Sequence, residues 1–371
     1  MQFPRRANLV GLLRILFGVG AALSSGNVAR VFADEAAPTY TDHQDLTYYL
    51  DAKGERHPVK APADWDVRRK HVLEAMQRVM GPLPGAAKRV PLDVKKVEDT
   101  LVGDVLRRKI TFQSEPGDRV PAYVLIPTRV AGKMPAVLCL HQTTRVLGKG
   151  EPAGLGGKAN LHYALELAQR GYVTLAPDYP SFGEHKWDFK HAGDYQSGTM
   201  KAIWDNLRAV DVLESLPEVD GERIGCIGHS LGGHNTIFTA AFDPRIKVIV
   251  SSCGFTRLDK DDMPSWTGPV YMPRIASVYG NDAKRLPFDF TEIVGALAPR
   301  PFFASAAVQD DDFDVSGVRD AMASAEKIYD LYGKRADLVG YYPDCKHDFP
   351  PDARKLAYEF LDKHLKKGDG K

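Results

Sequence analysis

From residue 105 onward the chain alternates between two kinds of segment, and no other feature narrows its fold so far. PAVLCLH (135–141), GYVTLAPD (171–178), RIGCIG (223–228), IKVIVSS (246–252), PFFASAA (301–307) and LVGYYP (338–343) are compact apolar runs of strand length. Near-continuous apolar runs suit strands buried on both faces. Between most of them lie stretches with helical spacing: ANLHYALELAQR, SGTMKAIWDNLRAVDVLESL, HNTIFTAAF, RDAMASAEKIYDLYG and a last one over 352–366. Strand then helix, repeated, requires crossovers, and these set the strands parallel with helices on both faces. Ahead of them VLRRKITFQ and VPAYVLIP flank EPGD and read as an antiparallel pair. The expected class is therefore α/β, a mostly parallel sheet with an antiparallel N-terminal strand pair.

Upstream, DWDVRRKHVLEAMQRVMG from about residue 65 has helical periodicity and stops at Gly81-Pro82. Residues 34–104 are accordingly expected as a helical extension packed on a catalytic domain of residues 105–371. At the start, Arg5 and Arg6 precede ANLVGLLRILFGVGAALSSG, and Val31-Phe32-Ala33 offers small residues at a cleavage spacing. This pattern reads as a signal peptide over residues 1–33, with an N-terminal membrane anchor as the alternative, since Arg14 interrupts the apolar stretch. The expectation is an exported protein, periplasmic or extracellular. No later stretch is long and apolar enough to span a bilayer.

Lys plus Arg number 49 against 48 Asp plus Glu, a formal charge of +1. Bulk electrostatics thus points to neither nucleic acid nor an anionic membrane surface, and favours small or neutral ligands. Of the four cysteines, Cys139 and Cys226 fall inside strand-like runs and read as buried free thiols; no C-x-x-C spacing suggests a metal.

Functional groups of an open parallel sheet gather at the C-terminal ends of its strands. There, after RIGCIG, stands Gly228-His229-Ser230-Leu231-Gly232-Gly233. A G-x-S-x-G string between a strand and a helix is a nucleophile elbow, whose glycines are required because a side chain would collide across the turn. A serine hydroxyl needs a base, usually a His held by a carboxylate, and the chain order is Ser, acid, His. Only His347 and His364 follow a strand able to supply the acid. His364, in YEFLDKHLKK, reads as a surface residue of an amphipathic helix; His347, in DCKHDFPP after LVGYYP, is the expected base. The acid should follow PFFASAA, where VQDDDFD holds Asp310, Asp311, Asp312 and Asp314. Asp310 is chosen because the turn starts there, with Asp311 second. Asp310, Asp312 and Asp314 also have calcium-loop spacing, but Val315 and Ala321 stand where that loop needs Gly and Glu. The oxyanion hole calls for two backbone N–H groups. One is Leu231 at the helix start; the other is Gln142 or Thr143, in the loop after PAVLCLH.

These residues carry a resemblance. GHSLGG, YVTLAPDYPSFGEH, APRPFFASA and KHDFPPDARKLAYEFLDKHL, in that order, resemble the dienelactone hydrolase-like and acetyl xylan esterase-like branch of the α/β hydrolases over residues 105–371. The resemblance implies the α/β-hydrolase fold, Ser230 as nucleophile, one aspartate of the run as acid and His347 as base. Two positions depart from the pattern: His141-Gln142 replaces the usual His-Gly, and the acid position is a run of aspartates. The implied function is a serine esterase acting on small or carbohydrate-borne esters, without metal or cofactor. A peptidase of the prolyl oligopeptidase type shares the elbow and the triad order, although residues 34–104 are too short for a propeller. A nucleotide-binding reading rests on Gly148-Lys149-Gly150-Glu151-Pro152-Ala153, weakened because Pro152 removes a backbone donor. Tyr179, Trp187, Tyr195, Trp266 and Tyr271 fall in loops where aromatic faces could ring a saccharide, or else belong to the core.

Overall fold

The computed structural model describes residues 38–366 except 130–131, 190–192 and 194. The stretch read as a signal peptide, residues 1–33, lies outside the described residues. Among them, no helix is long and apolar enough to cross a membrane.

Among the described residues nine strands form one sheet. They are β3 (Lys95–Val102), β4 (Val105–Glu115), β5 (Asp118–Pro127), β6 (Met134–Leu140), β7 (Val173–Pro177), β8 (Val219–His229), β9 (Ile246–Ser252), β10 (Phe302–Ser305) and β11 (Leu338–Tyr341), while β1 (Tyr48–Leu50) and β2 (Arg56–Pro58) make a separate antiparallel pair. The order across the sheet is β11-β10-β9-β8-β6-β7-β5-β4-β3. Strands β6 to β11 run parallel, and β5, β4 and β3 add antiparallel neighbours on the β7 side. All six parallel runs expected from the sequence are strands, and so is the antiparallel pair β4 and β5.

Alternate residues serve opposite layers, as the two-residue period of a strand requires. In β6, Ala136, Leu138 and Leu140 join one apolar cluster with α1 (Pro62–Met80), α3 (Gly198–Ser215), α4 (Leu231–Phe242), α6 (Phe290–Leu297) and α7 (Val315–Leu331). Val137 and Cys139 join a second cluster with α2 (Tyr163–Gln169) and α8 (Pro351–Leu365). Both faces of the parallel strands are therefore buried.

The structure corrects the sequence reading at β1, β2 and β3, which lie inside residues 34–104, and at α6. β3 lies inside the stretch expected to be helical; it escapes notice because it is an outer edge strand, KKVEDTLV, with Val97 and Leu101 exposed and no buried face to impose alternation. α6 is a helix that the sequence reading does not include, although Asp289 and Glu292 form a capping box at its start, a signal present in the sequence.

Strand order places the site. From β6 the chain crosses to β7 on one side, then returns past β6 to β8 on the other, so loops after β6 and β8 diverge and open a crevice at the strands' carboxyl ends.

Candidate active site

β8 ends at His229 and α4 begins at Leu231, so Ser230 alone makes the turn, at φ 55° and ψ −122°. Such an angle costs a non-glycine residue about 1–3 kcal/mol and persists only where surroundings over-determine it. Here they do. A Cβ on Gly228 would lie 2.2 Å from the Gly232 carbonyl oxygen, and one on Gly232 would lie 1.9 Å from that of Leu140. Gly233 packs on Gly254, where a Cβ would come within 2.7 Å of the Gly254 Cα. The elbow's glycines are thus demanded by backbone against backbone, as the motif requires. The Ser230 N–H donates to the Ser252 carbonyl at 2.9 Å, tying the turn to the end of β9.

The loops after β10 and β11 continue the strand pairing: Val308 N–H donates to Pro343 O at 2.9 Å and Gln309 N–H to Cys345 O at 3.0 Å. That zipper carries Asp310 to His347. The His347 Nδ1 lies 3.0 Å from both Oδ1 and Oδ2 of Asp310, whose side chain is 1% exposed. An ionised carboxylate only accepts, so Nδ1 carries the proton and Nε2 of the neutral ring is left as an acceptor, the tautomer a general base needs. Burial works to raise the Asp310 carboxyl, but hydrogen bonding and charge from His347 outweigh it, and the group lies below the usual range. The Asp312 and Phe313 N–H groups also donate to Asp310 Oδ1, at 2.9 and 3.2 Å. The His347 ring sits 4.7 Å, centroid to centroid, from His229, the residue before Ser230. The following residue is fixed by the Asn160 amide, which donates to Asp348 Oδ2 at 2.6 Å, and Arg354 in turn donates to Asn160 Oδ1 at 2.6 Å.

Of the remaining aspartates, Asp311 and Asp312 are exposed on the cleft rim, and Asp314 caps α7 by accepting from the Ser316 N–H at 2.7 Å. Asp311, the second choice for the acid, has no bond to His347. Asp310→Asn is therefore expected to lower kcat about 10⁴-fold, by inverting the tautomer, and Asp311→Asn by less than about threefold. Steady-state kinetics of the two variants checks this, and equal small losses would put the acid elsewhere. His364 is half-buried rather than a free surface residue, its ring 4.7 Å from that of Phe360 on α8.

A cavity of about 300 Å³ opens beside Ser230 and Leu231, bounded by Thr143, His234, Trp266 and Tyr271. Thr143 lines it; Gln142 does not, its side chain turned away to donate to Glu151 Oε2 at 2.8 Å. Of the five aromatic residues considered from the sequence, Trp266 and Tyr271 face this cavity. Tyr179 is buried with its hydroxyl donating to Val270 O at 2.5 Å, while Trp187 and Tyr195 pack edge to face and flank Lys201. Sequence reasoning missed His234, Asp261 and Cys253. Cys253, at φ 43°, lies against Asp310 with its thiol donating to Asp348 O at 3.5 Å, and only the strand end before it hints at that place.

The phosphate-loop reading of residues 148–153 fails. The Lys149 ammonium is buried between Asp178 Oδ2 at 2.7 Å and Glu184 Oε2 at 2.6 Å, and Gly148 closes against Asp178, where a Cβ would lie 2.2 Å from Oδ1. Donor atoms of Asp118, His185 and Asp205 cluster as metal ligands do, but the Lys201 ammonium sits 2.6 Å from Asp118 and bonds Asp205, so a cation already fills that space.

A family model described as the prolyl oligopeptidase family matches residues 159–368, a span containing Ser230, Asp310 and His347. The Bacillus subtilis protein YtaP is 29% identical over 314 residues, covering 80% of this chain and 99% of its own length. 4-O-methyl-glucuronoyl methylesterase 1 of Wolfiporia cocos is 25% identical over 337 residues, covering 83% of this chain and 78% of its own. A glucuronoyl esterase from Solibacter usitatus shares the fold, with a TM-score of 0.70 at 19% identity over 89% of this chain and 99% of that one. The shared fold and the family match bear out the α/β-hydrolase resemblance drawn from the motifs. Since the family's bounds enclose more than half of the sequence, with the turn at Ser230 and the loops of Asp310 and His347 included, the chain belongs to the prolyl oligopeptidase family.

Proposed function

We propose that this protein is a serine hydrolase of carboxylic esters, with Ser230 as nucleophile, His347 as base and Asp310 as the acid that orients it. The observation that carries the reading is the Asp310–His347 pair beside the strained turn at Ser230. In this mechanism His347 Nε2 takes the Ser230 proton as Oγ attacks the ester carbonyl, and Asp310 steadies the imidazolium. The oxyanion that forms accepts from two backbone N–H groups, Leu231 at the free end of α4 and Thr143, which lines the cleft where Gln142 does not. Each donor contributes about 3 kcal/mol to the barrier's reduction. The intermediate collapses, His347 protonates the leaving alcohol, and an acyl-serine remains. Water, deprotonated by His347, then releases the acid and restores the serine. No metal or cofactor enters these steps.

Ester rather than amide hydrolysis is supported by the names of relatives that align over most of the chain, a methylesterase among them. Carbohydrate-borne esters are the proposed substrates. The family description favours a second reading, a peptidase, because the same groups can cleave amides. Export, with residues 1–33 as a cleaved signal, completes the proposal, and N-terminal sequencing of the mature protein tests it.

The decisive experiment is hydrolysis of 4-nitrophenyl acetate and of a blocked prolyl 4-nitroanilide by wild type and Ser230→Ala. Ester turnover that falls by about 10⁴-fold or more in the variant supports the serine esterase. Turnover of the anilide alone transfers the site to the peptidase reading, and ester turnover that survives the mutation removes Ser230 from the mechanism.

A further inference from the structure

The cleft beside Ser230 has a composition that the triad does not explain. Asp261, Asp262, Asp311 and Asp312 all line it, and the described residues lining it include no lysine or arginine. Asp261 is held in place, its Oδ2 accepting from the Trp266 indole N–H at 3.0 Å and its Oδ1 from the Asp262 N–H at 2.7 Å. Burial pushes the Asp261 carboxyl up to about 6, a value at which it still ionises near neutral pH. A low-dielectric wall bearing several like charges raises the local potential well above that of an open surface.

Within the same cleft lies a partly unsatisfied group. His234 is 4% exposed; one ring N–H is turned to the Gly254 carbonyl, and the other ring nitrogen has no partner among the described residues. Its ring is held by Trp266 and Tyr271, with centroids at 4.7 and 6.3 Å. Burial pulls its pKa down to about 3, so the ring is neutral, and with its N–H turned to Gly254 the other nitrogen is left as an acceptor. Buried polar groups are nearly always paired, and an orphan at a cleft wall marks where a ligand supplies the partner. A hydroxyl can donate to that nitrogen; a quaternary ammonium, which has no N–H, cannot. Trp266 and Tyr271 add apolar surface to the same wall, which suits a sugar ring better than a small ion.

We propose that this cleft selects an uncharged, hydroxyl-bearing ring, a neutral saccharide ester, with His234 bonding a substrate hydroxyl and the four aspartates excluding anionic sugars. The inference rests on the ester-hydrolase reading of Ser230 and names the substrate class of that site. Both halves follow from residues outside the triad, so they are tested apart from it.

The test measures kcat/KM for acetate release from three esters: a mono-acetylated methyl xyloside, a mono-acetylated methyl glucuronoside with a free carboxylate, and 4-nitrophenyl acetate, which has no hydroxyl. At low salt the neutral sugar is expected to exceed the anionic one by about tenfold or more, from several like charges at cleft distances. That gap shrinks as ionic strength rises and again in Asp262→Asn/Asp311→Asn, two exposed positions where folding is not at stake. His234→Phe, which keeps a ring in place, is expected to lower the ratio of xyloside to 4-nitrophenyl acetate turnover about tenfold; His234→Gln, which restores a donor and an acceptor, recovers part of it. Equal turnover of the two sugars at low salt, a gap indifferent to salt, or a ratio unmoved in His234→Phe overturns the proposal, as does a preference for a trimethylammonium ester over the xyloside. Failure of 4-nitrophenyl acetate hydrolysis to depend on Ser230 is a separate result, which sinks the ester-hydrolase reading instead.

Discussion

Replacement of His347 by alanine is expected to lower kcat by about 10⁴- to 10⁶-fold while KM for a small ester changes little, the signature of a group that acts only in the transition state. The ring is positioned by Asp310 through two contacts of 3.0 Å and by its neighbours His229 and Phe313, with centroids 4.7 and 6.0 Å away. Its side chain is 16% exposed and no helix or strand is built on it, so truncation leaves the fold intact. Residual catalysis above water should persist, because the backbone donors near Leu231 and the cleft are untouched. Single-turnover and steady-state rates, with the circular dichroism of the variant as a control for folding, decide the matter; a loss of only a few-fold would falsify the role of His347.

Replacement of Glu292 by glutamine is expected to cost about 3–5 kcal/mol of stability, the largest effect foreseen outside the site. Glu292 is 1% exposed and joins three segments. Its Oε1 accepts from the fully buried Arg68 of α1 at 2.7 Å, and its Oε2 lies 2.7 Å from His43 Nδ1 and accepts from the Asp289 N–H at 3.3 Å. Arg68 also donates to the Tyr48 carbonyl at 2.8 Å. A glutamine would leave the guanidinium buried without its counter-charge, which is what makes a broken buried pair so costly.

The effect has a defined pH window. Burial opposes the Glu292 charge, but His43 and Arg68 outweigh it and the carboxyl lies below 4.5, so its contribution is present above that pH and lost as pH falls through the lowered value. Burial also opposes the His43 charge, yet Glu292 outweighs it and raises His43 above 6.5, so that contribution is full below 6.5 and lost as pH rises through the raised value. Both are present between about pH 4.5 and 6.5. Denaturant unfolding of wild type and variant should show the widest gap there, narrowing in strong acid where Glu292 itself is protonated; a gap below about 1 kcal/mol at pH 6 would show that the segments are held by other means.

Where a residue's role depends on local sterics or chain order, the amino-acid string carries it. Ser230 was legible because no side chain fits at Gly228 or Gly232 beside a turn that tight. His347 was legible because the order of nucleophile, acid and base leaves few histidines to choose from. Asp310 was separable from Asp311 only weakly, since a run of aspartates has no internal period; what distinguishes them is that the zipper between the loops after β10 and β11 delivers one carboxylate to His347 and leaves the next in solvent. Gln142 and Thr143 are likewise adjacent and equivalent in the sequence; what the fold adds is that Thr143 borders the cavity and Gln142 does not.

The cleft wall lies further from what a string can show. His234 sits one helical turn after Ser230, within reach of inference, but its partners Trp266 and Tyr271 arrive from the segment between β9 and α6, which has few periodic apolar residues and little regular structure. The edge strand β3 was hidden for the opposite reason, since solvent on its outer face removes the alternation that betrays a strand.

By itself the sequence determined the alternation of strand and helix, the turn at Ser230 and the candidate base, because periodicity, glycine sterics and chain order act between residues close in the chain or in strict succession. Only the tertiary structure decided which aspartate meets His347, which loop residue borders the cleft, and that four carboxylates and a partly paired imidazole share one cavity, because these depend on groups brought together across the sheet by packing that no local pattern encodes.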